Sequence, residues 1–176
     1  MTFTEMLCET DFKQLVGNRP GLPVYYLRTT IRRFGLRCVE KRLPSGRLGL
    51  LNLQRGELQI DPWKQDPLER NLTIACLLGY WRLFRCQLED GKKLDERQEV
   101  MGETYGTVFL LPRALLVEEW GFKELLWCQQ REIIAPLNLV RVAVDSLSAK
   151  FRLPRWAASE RLLSALGDCA EKCEAI

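Results

Sequence analysis

Arg70-Asn71-Leu72-Thr73-Ile74-Ala75-Cys76-Leu77-Leu78-Gly79-Tyr80-Trp81 is the stretch whose reading decides the fold. Asp66 ahead of it can accept the unpaired N–H groups of a first helical turn. Pro67 suits the first helical position, where an N–H would have no partner anyway. The spacing predicts a helix over 66–84 whose buried stripe is Leu68, Leu72, Ala75, Leu78 or Gly79, and Arg82 or Leu83. Cys76 and Tyr80, four apart, share a helix face, with Leu77 beside them. The whole chain of 176 residues contains no histidine.

Before this helix, residues 3–16 predict a first helix stopped by Gly17-Asn18-Arg19-Pro20-Gly21. Residues 23–34 predict a second, with Val24, Leu27, Ile31 and Phe34 at helical spacing and Gly35 as its stop. Residues 36–40, 47–53 and 57–61 then read as strands, arranged as an antiparallel meander because no helix separates them. Beyond it, Gln87 to Lys93 reads as a polar loop, 95–109 as a helix and Pro112 to Trp120 as a short helix. Residues 122–132 and 136–147 are helical, and Ser148 to Leu162 reads as helix, tight turn, helix. The expected class is α+β, with a small antiparallel or mixed three-stranded sheet. The expected division is a core over 1–132 and a C-terminal helical subdomain over 133–176, of helix-turn-helix type, packed on it.

An apolar fraction of 47% with 28% charged residues is that of a globular protein with a core. The net charge of +3 is too mild to demand nucleic acid. Seven cysteines show no CxxC pair, and Met1-Thr2-Phe3-Thr4-Glu5 lacks a basic start and an apolar run, so reduced thiols in a cytoplasm are expected. No apolar run is long enough to span a bilayer.

The helix at 70–81 resembles the active-site helix of the ImmA/IrrE family of zinc peptidases, which reads close to RFTIAHELGHYLL. Thr73, Ile74, Ala75, Leu78 and Gly79 match its frame. Phe34-Gly35-Leu36-Arg37-Cys38 and Leu58-Gln59-Ile60-Asp61 stand where the family has its strands. Glu99 to Pro112, with Gly102, Tyr105, Gly106 and Leu110-Leu111-Pro112, resembles the helix that follows, and Ser148 to Gly167 resembles the closing helical segment. The resemblance implies a zincin-like helix core and a regulatory setting in a bacterium or phage.

The catalytic groups depart from the family. Cys76 stands at the first histidine, Leu77 at the glutamate and Tyr80 at the second histidine. In a zincin helix two imidazoles one turn apart grip the metal and the glutamate serves as base. Leu77 cannot accept a proton, and a phenol is a poor ligand at neutral pH. By the resemblance, the third ligand position falls on Glu99, with Glu103 as second choice. The expectation is therefore a pseudoenzyme with no metal or other cofactor. An atypical metal hydrolase using Cys76 and Glu99 is the rival enzyme reading. Without histidine, nucleophilic catalysis at Cys76 or Cys128 lacks its usual base.

Binding is the function left. The cleft around Cys76, Leu77, Tyr80 and Glu99 is expected to be filled by core, and a protein partner is the favoured ligand. Arg152, Arg155, Trp156 and Arg161 form a basic, aromatic C-terminal unit that offers DNA binding as the alternative. Arg28 and Arg32, one turn apart, head a second basic cluster that could meet an acidic partner or nucleic acid. Of five tryptophans, any left exposed would mark an interface.

Overall fold

The computed structural model describes residues 2–15 and 23–174. Among these it is an α+β fold of eight helices and three strands: α1 (Phe3–Leu15), α2 (Pro23–Arg33), β1 (Arg37–Glu40), β2 (Gly49–Asn52), β3 (Glu57–Ile60), α3 (Pro67–Glu89), α4 (Glu96–Leu110), α5 (Arg113–Leu116), α6 (Trp120–Gln130), α7 (Leu137–Phe151) and α8 (Arg155–Glu174). The expected stop at Gly17–Gly21 lies outside the described residues.

The sheet corrects one expectation. It is mixed, in the order β1-β3-β2, with β1 parallel and β2 antiparallel to β3. A parallel neighbour needs a crossover of a dozen or more residues. The segment 41–56 supplies it without a helix, placing β2 on the far edge on its way. Every residue of Glu57-Leu58-Gln59-Ile60 is buried, as a central strand requires, whereas β1 is exposed at both ends. Asp61 secures the crossover: its carboxylate accepts from the Leu43 N–H at 2.9 Å and the Trp63 N–H at 3.3 Å and pairs with Lys64 at 3.1 Å.

α3 begins as expected. Asp66 accepts from the Leu68 and Glu69 N–H groups at 2.7 and 2.9 Å, and Glu69 reaches back to the Asp66 N–H, which closes a capping box. It ends later than expected. Helix continues to Glu89 past a break at Phe84, whose φ of −128° leaves the helical region, so the predicted end marks a kink. Asp95 and Gln98 form the same reciprocal cap on α4. Trp120 starts α6 rather than ending α5, and α7 runs on to Phe151. Arg152 then turns left-handed at φ 58°, donating to Ser148 O, and the Ser148 hydroxyl donates to Leu153 O at 2.7 Å.

α3 and α4 pack closely because of their glycines. A Cβ on Gly79 would lie 2.5 Å from the Gly102 carbonyl oxygen, and one on Gly106 would lie 2.7 Å from the Cys76 nitrogen. Around this seam Leu58, Ile60, Ala75, Leu78, Tyr105 and Phe109 are fully buried. A buried leucine of this kind contributes about 1.5–3 kcal/mol. The core continues through Phe122, Leu147, Phe151, Leu153 and Leu162, so apolar contacts cross the loop at 132/133. Two buried polar knots fix α1. Asp11 accepts from Tyr105 Oη at 2.8 Å and from Arg82 Nε at 2.8 Å, joining α1 to α4 and α3. Glu5 pairs with Arg161 at 2.8 Å, joining α1 to α8. No helix among the described residues is long and apolar enough to cross a membrane.

Candidate functional site

One face of α3 opens onto a cavity of about 500 Å³. Thr73, Cys76, Leu77 and Tyr80 form its α3 wall, Leu48 and Gly49 come from β2 and its approach, and Val100, Glu103, Thr104 and Thr107 come from α4. Trp156 and Glu160 close it from the first turns of α8. β2 can lie this close because Gly49 carries no side chain; a Cβ there would meet Thr73 Cγ2 at 2.7 Å and Leu77 Cδ1 at 2.9 Å. The expected filling of this cleft by core is thus corrected. Leu77 is buried, but Cys76 and Tyr80 are only half-buried and Trp156 is 55% exposed.

The acidic candidates also change rank. Glu103 lines the cavity, and its backbone carbonyl faces the Cys76 thiol at 4.0 Å. Glu99, one turn earlier, does not line it. Burial, with the negative charge of Glu103, pushes the Cys76 thiol up to about 12. Burial and the nearby Cys76, Glu103 and Glu99 raise the Tyr80 phenol as well. Burial and the charges of Glu99 and Glu160 lift the Glu103 carboxyl above its usual range.

The donor set decides whether the zinc that the family resemblance implies would fit here. Tyr80 is a phenol where an imidazole would be needed, and of the described residues Cys76 is the one thiol on this face. Among the described residues, no group of three or more Cys, Asp and Glu side chains is placed to hold a metal. The residues do not fit the ion. Cys76 has no histidine in the chain to serve as its base. The cavity presents apolar walls, three threonine side chains, two aromatic side chains and two carboxylates.

The C-terminal unit divides. Arg152 and Arg155 are exposed at the α7–α8 turn, with Arg155 Nε paired to Asp145 at 2.8 Å. Trp156 turns to the cleft. Arg161 cannot touch a partner, which corrects the reading of it as a contact. Its side chain is buried, its Nη1 meets Glu5 at 2.8 Å, its Nη2 lies 3.7 Å from Glu9, and its Nε donates to Leu111 O at 3.1 Å. A buried arginine needs such partners; its two carboxylates lie in α1 and its carbonyl at the end of α4, a convergence seen only in three dimensions. Arg28 and Arg32 are exposed on α2 and do not line the cleft; Arg28 lies 3.6 Å from Glu40. Trp63, Trp120 and Trp127 are exposed too, but of the tryptophans only Trp156 lines this cavity.

Sequence reasoning places Cys76, Leu77 and Tyr80 with Glu99, offers Glu103 only as second choice, and misses Glu160, Gly49 and the role of Trp156. The helical period did carry a signal for α8, since Trp156 and Glu160 are four apart and share a face.

No family model and no curated protein matches the sequence. Among solved structures, the chain is similar to that of a Mycobacterium tuberculosis transcriptional regulator, at 20% identity and a TM-score of 0.60, covering 92% of this chain and 55% of that one. The chain thus spans about half the length of that protein. At such identity the likeness bears on the fold.

Proposed function

We propose that this chain is a non-catalytic regulatory module, a peptidase-like scaffold that binds a protein partner through the cleft between β2, α3, α4 and α8. The observation that carries this reading is the open cavity of about 500 Å³ on the α3 face where the resembled family grips its metal, lined here by Cys76, Leu77 and Tyr80. A volume of this size is ordinary for a ligand pocket. The three positions that depart from the resembled helix, Cys76, Leu77 and Tyr80, all line this cavity. The test is capture from native extract by wild-type protein and by Thr104→Trp, which fills the cavity. A partner lost with the filled cleft, at unchanged melting temperature, supports the reading. Equal capture by both, or none by either, contradicts it.

A second reading, a DNA-binding regulator, is favoured by the exposed Arg152 and Arg155 at the α7–α8 turn and by the fold likeness to a transcriptional regulator. It requires salt-dependent binding to duplex DNA that Arg155→Ala weakens. Absence of binding at low salt removes it.

A further inference from the structure

We infer that the cleft takes an organic cation on an apolar stem, the charged end of a lysine or arginine side chain presented by the bound partner. This deepens the proposed function and rests on the cleft being the binding site.

The lining has a one-sided chemistry. Leu72, Leu77 and Val100 offer apolar surface, Trp156 and Tyr80 offer aromatic rings, and Glu103 and Glu160 are the charged groups. Among the described residues, no lysine or arginine lines the cavity. Other acids packed around α8 each have an arginine: Glu5 has Arg161, Asp145 has Arg155 and Asp168 has Arg113. Among the described residues no such pair involves Glu103 or Glu160. An anionic ligand would meet two carboxylates and no counter-charge. Glu103 and Glu160 are exposed at the cavity's edge, where a neutral apolar ligand would leave them in water and gain nothing from their charge. A cation on a methylene stem satisfies each part of the lining. The stem lies along apolar surface, as long basic side chains do. The head meets the carboxylates, with the Trp156 ring available for a cation–π contact. Burial first, then the charges of Glu99 and Glu160, lift the Glu103 carboxyl, and a bound cation offsets the charge part.

The test titrates the full chain, ¹⁵N-labelled, with hexylammonium, 1-hexanol and hexanoate, following the Trp156 indole N–H, which is assigned by its loss in Trp156→Phe. Hexylammonium should bind about tenfold tighter than hexanol, the worth of a partly desolvated cation contact, and hexanoate should leave the signal in place. Glu103→Gln should erase most of that preference, and Glu160→Gln provides a second variant should the first fold poorly. A short lysine peptide should bind more tightly than its norleucine counterpart and than free hexylammonium. Hexanol or hexanoate binding as well as the amine overturns the cation assignment but leaves the cleft as a site. Free amine matching the peptide overturns the assignment to a partner's side chain. If no probe moves Trp156, the cleft is not a binding site and the proposed function falls with it.

Discussion

Along α3, the face carrying Ala75, Leu78 and Gly79 is sealed against its neighbours, whereas the face carrying Thr73, Cys76 and Tyr80 opens onto a cavity. Both faces belong to one continuous helix, yet they are held by different rules. On the sealed face a side chain is fixed by the space it must fill, down to the 2.5 Å that a Cβ on Gly79 would leave to the Gly102 carbonyl. The open face is half packed: Cys76 lies against Gly106 and the Tyr80 ring against Gly102, while both also border the cavity. A scaffold can keep its shape while the part of that face bordering the cavity is rewritten.

The comparison can be broken most severely from the opposite wall. Arg161 anchors α8, and with it Trp156 and Glu160, to α1 and to the end of α4. Arg161→Met leaves Glu5 buried and unpaired and should cost about 3–5 kcal/mol, read from urea unfolding. Adding Glu5→Gln to that variant should recover part of the loss, and no recovery would show that the pair is not the anchor. On the sealed face, Gly79→Ala drives a methyl into the Gly102 carbonyl and should cost about 1–3 kcal/mol; a neutral result would mean the seam is looser than its geometry. On the open face, Tyr80→Phe should change stability by no more than about 0.5 kcal/mol, and a loss as large as that of Gly79→Ala would erase the distinction between the faces.

The smallest effect concerns the turn that feeds both faces. The Leu43 N–H, together with Lys64 and the Trp63 N–H, holds the Asp61 carboxyl below its usual range. A carboxyl with a lowered folded pKa adds stability that is full above the unfolded value of about 4 and is lost as pH falls through the folded value. Stability should decline in that acid window. Asp61→Asn should be less stable at neutral pH and show a shallower decline, and an unchanged acid profile would place the sensitivity elsewhere.

Much of the frame was legible because it is written locally. Asp66-Pro67 and Asp95 announce helix starts through groups within three residues, and Gly35, at φ 74°, ends α2 where its sequence position indicates. The parallel pairing of β1 with β3 was hidden because it depends on a buried central strand choosing neighbours on both sides. The cleft was half legible. Cys76, Leu77 and Tyr80 came from one helix, but the acid from the next was placed one turn early, at Glu99 instead of Glu103, and the wall formed by Trp156 and Glu160 depends on where α8 docks. That docking is set by Arg161 and Glu5, 156 positions apart in sequence, and no periodicity reports such a pair.

The proposed function requires that the cavity-lining face of α3 occupy the place of the resembled family's metal site with side chains that hold no metal. Zinc titration, by competition with a chromophoric chelator, tests this most directly on wild type and on the triple variant Cys76→His, Leu77→Glu, Tyr80→His. The account predicts no tight uptake by wild type and one equivalent taken up by the folded variant, with two imidazoles one turn apart and Glu103 completing the donors. Leu77→Glu alone should leave the protein without tight zinc and without peptidase activity. Tight stoichiometric zinc in wild type, or a folded triple variant that binds none, would contradict it.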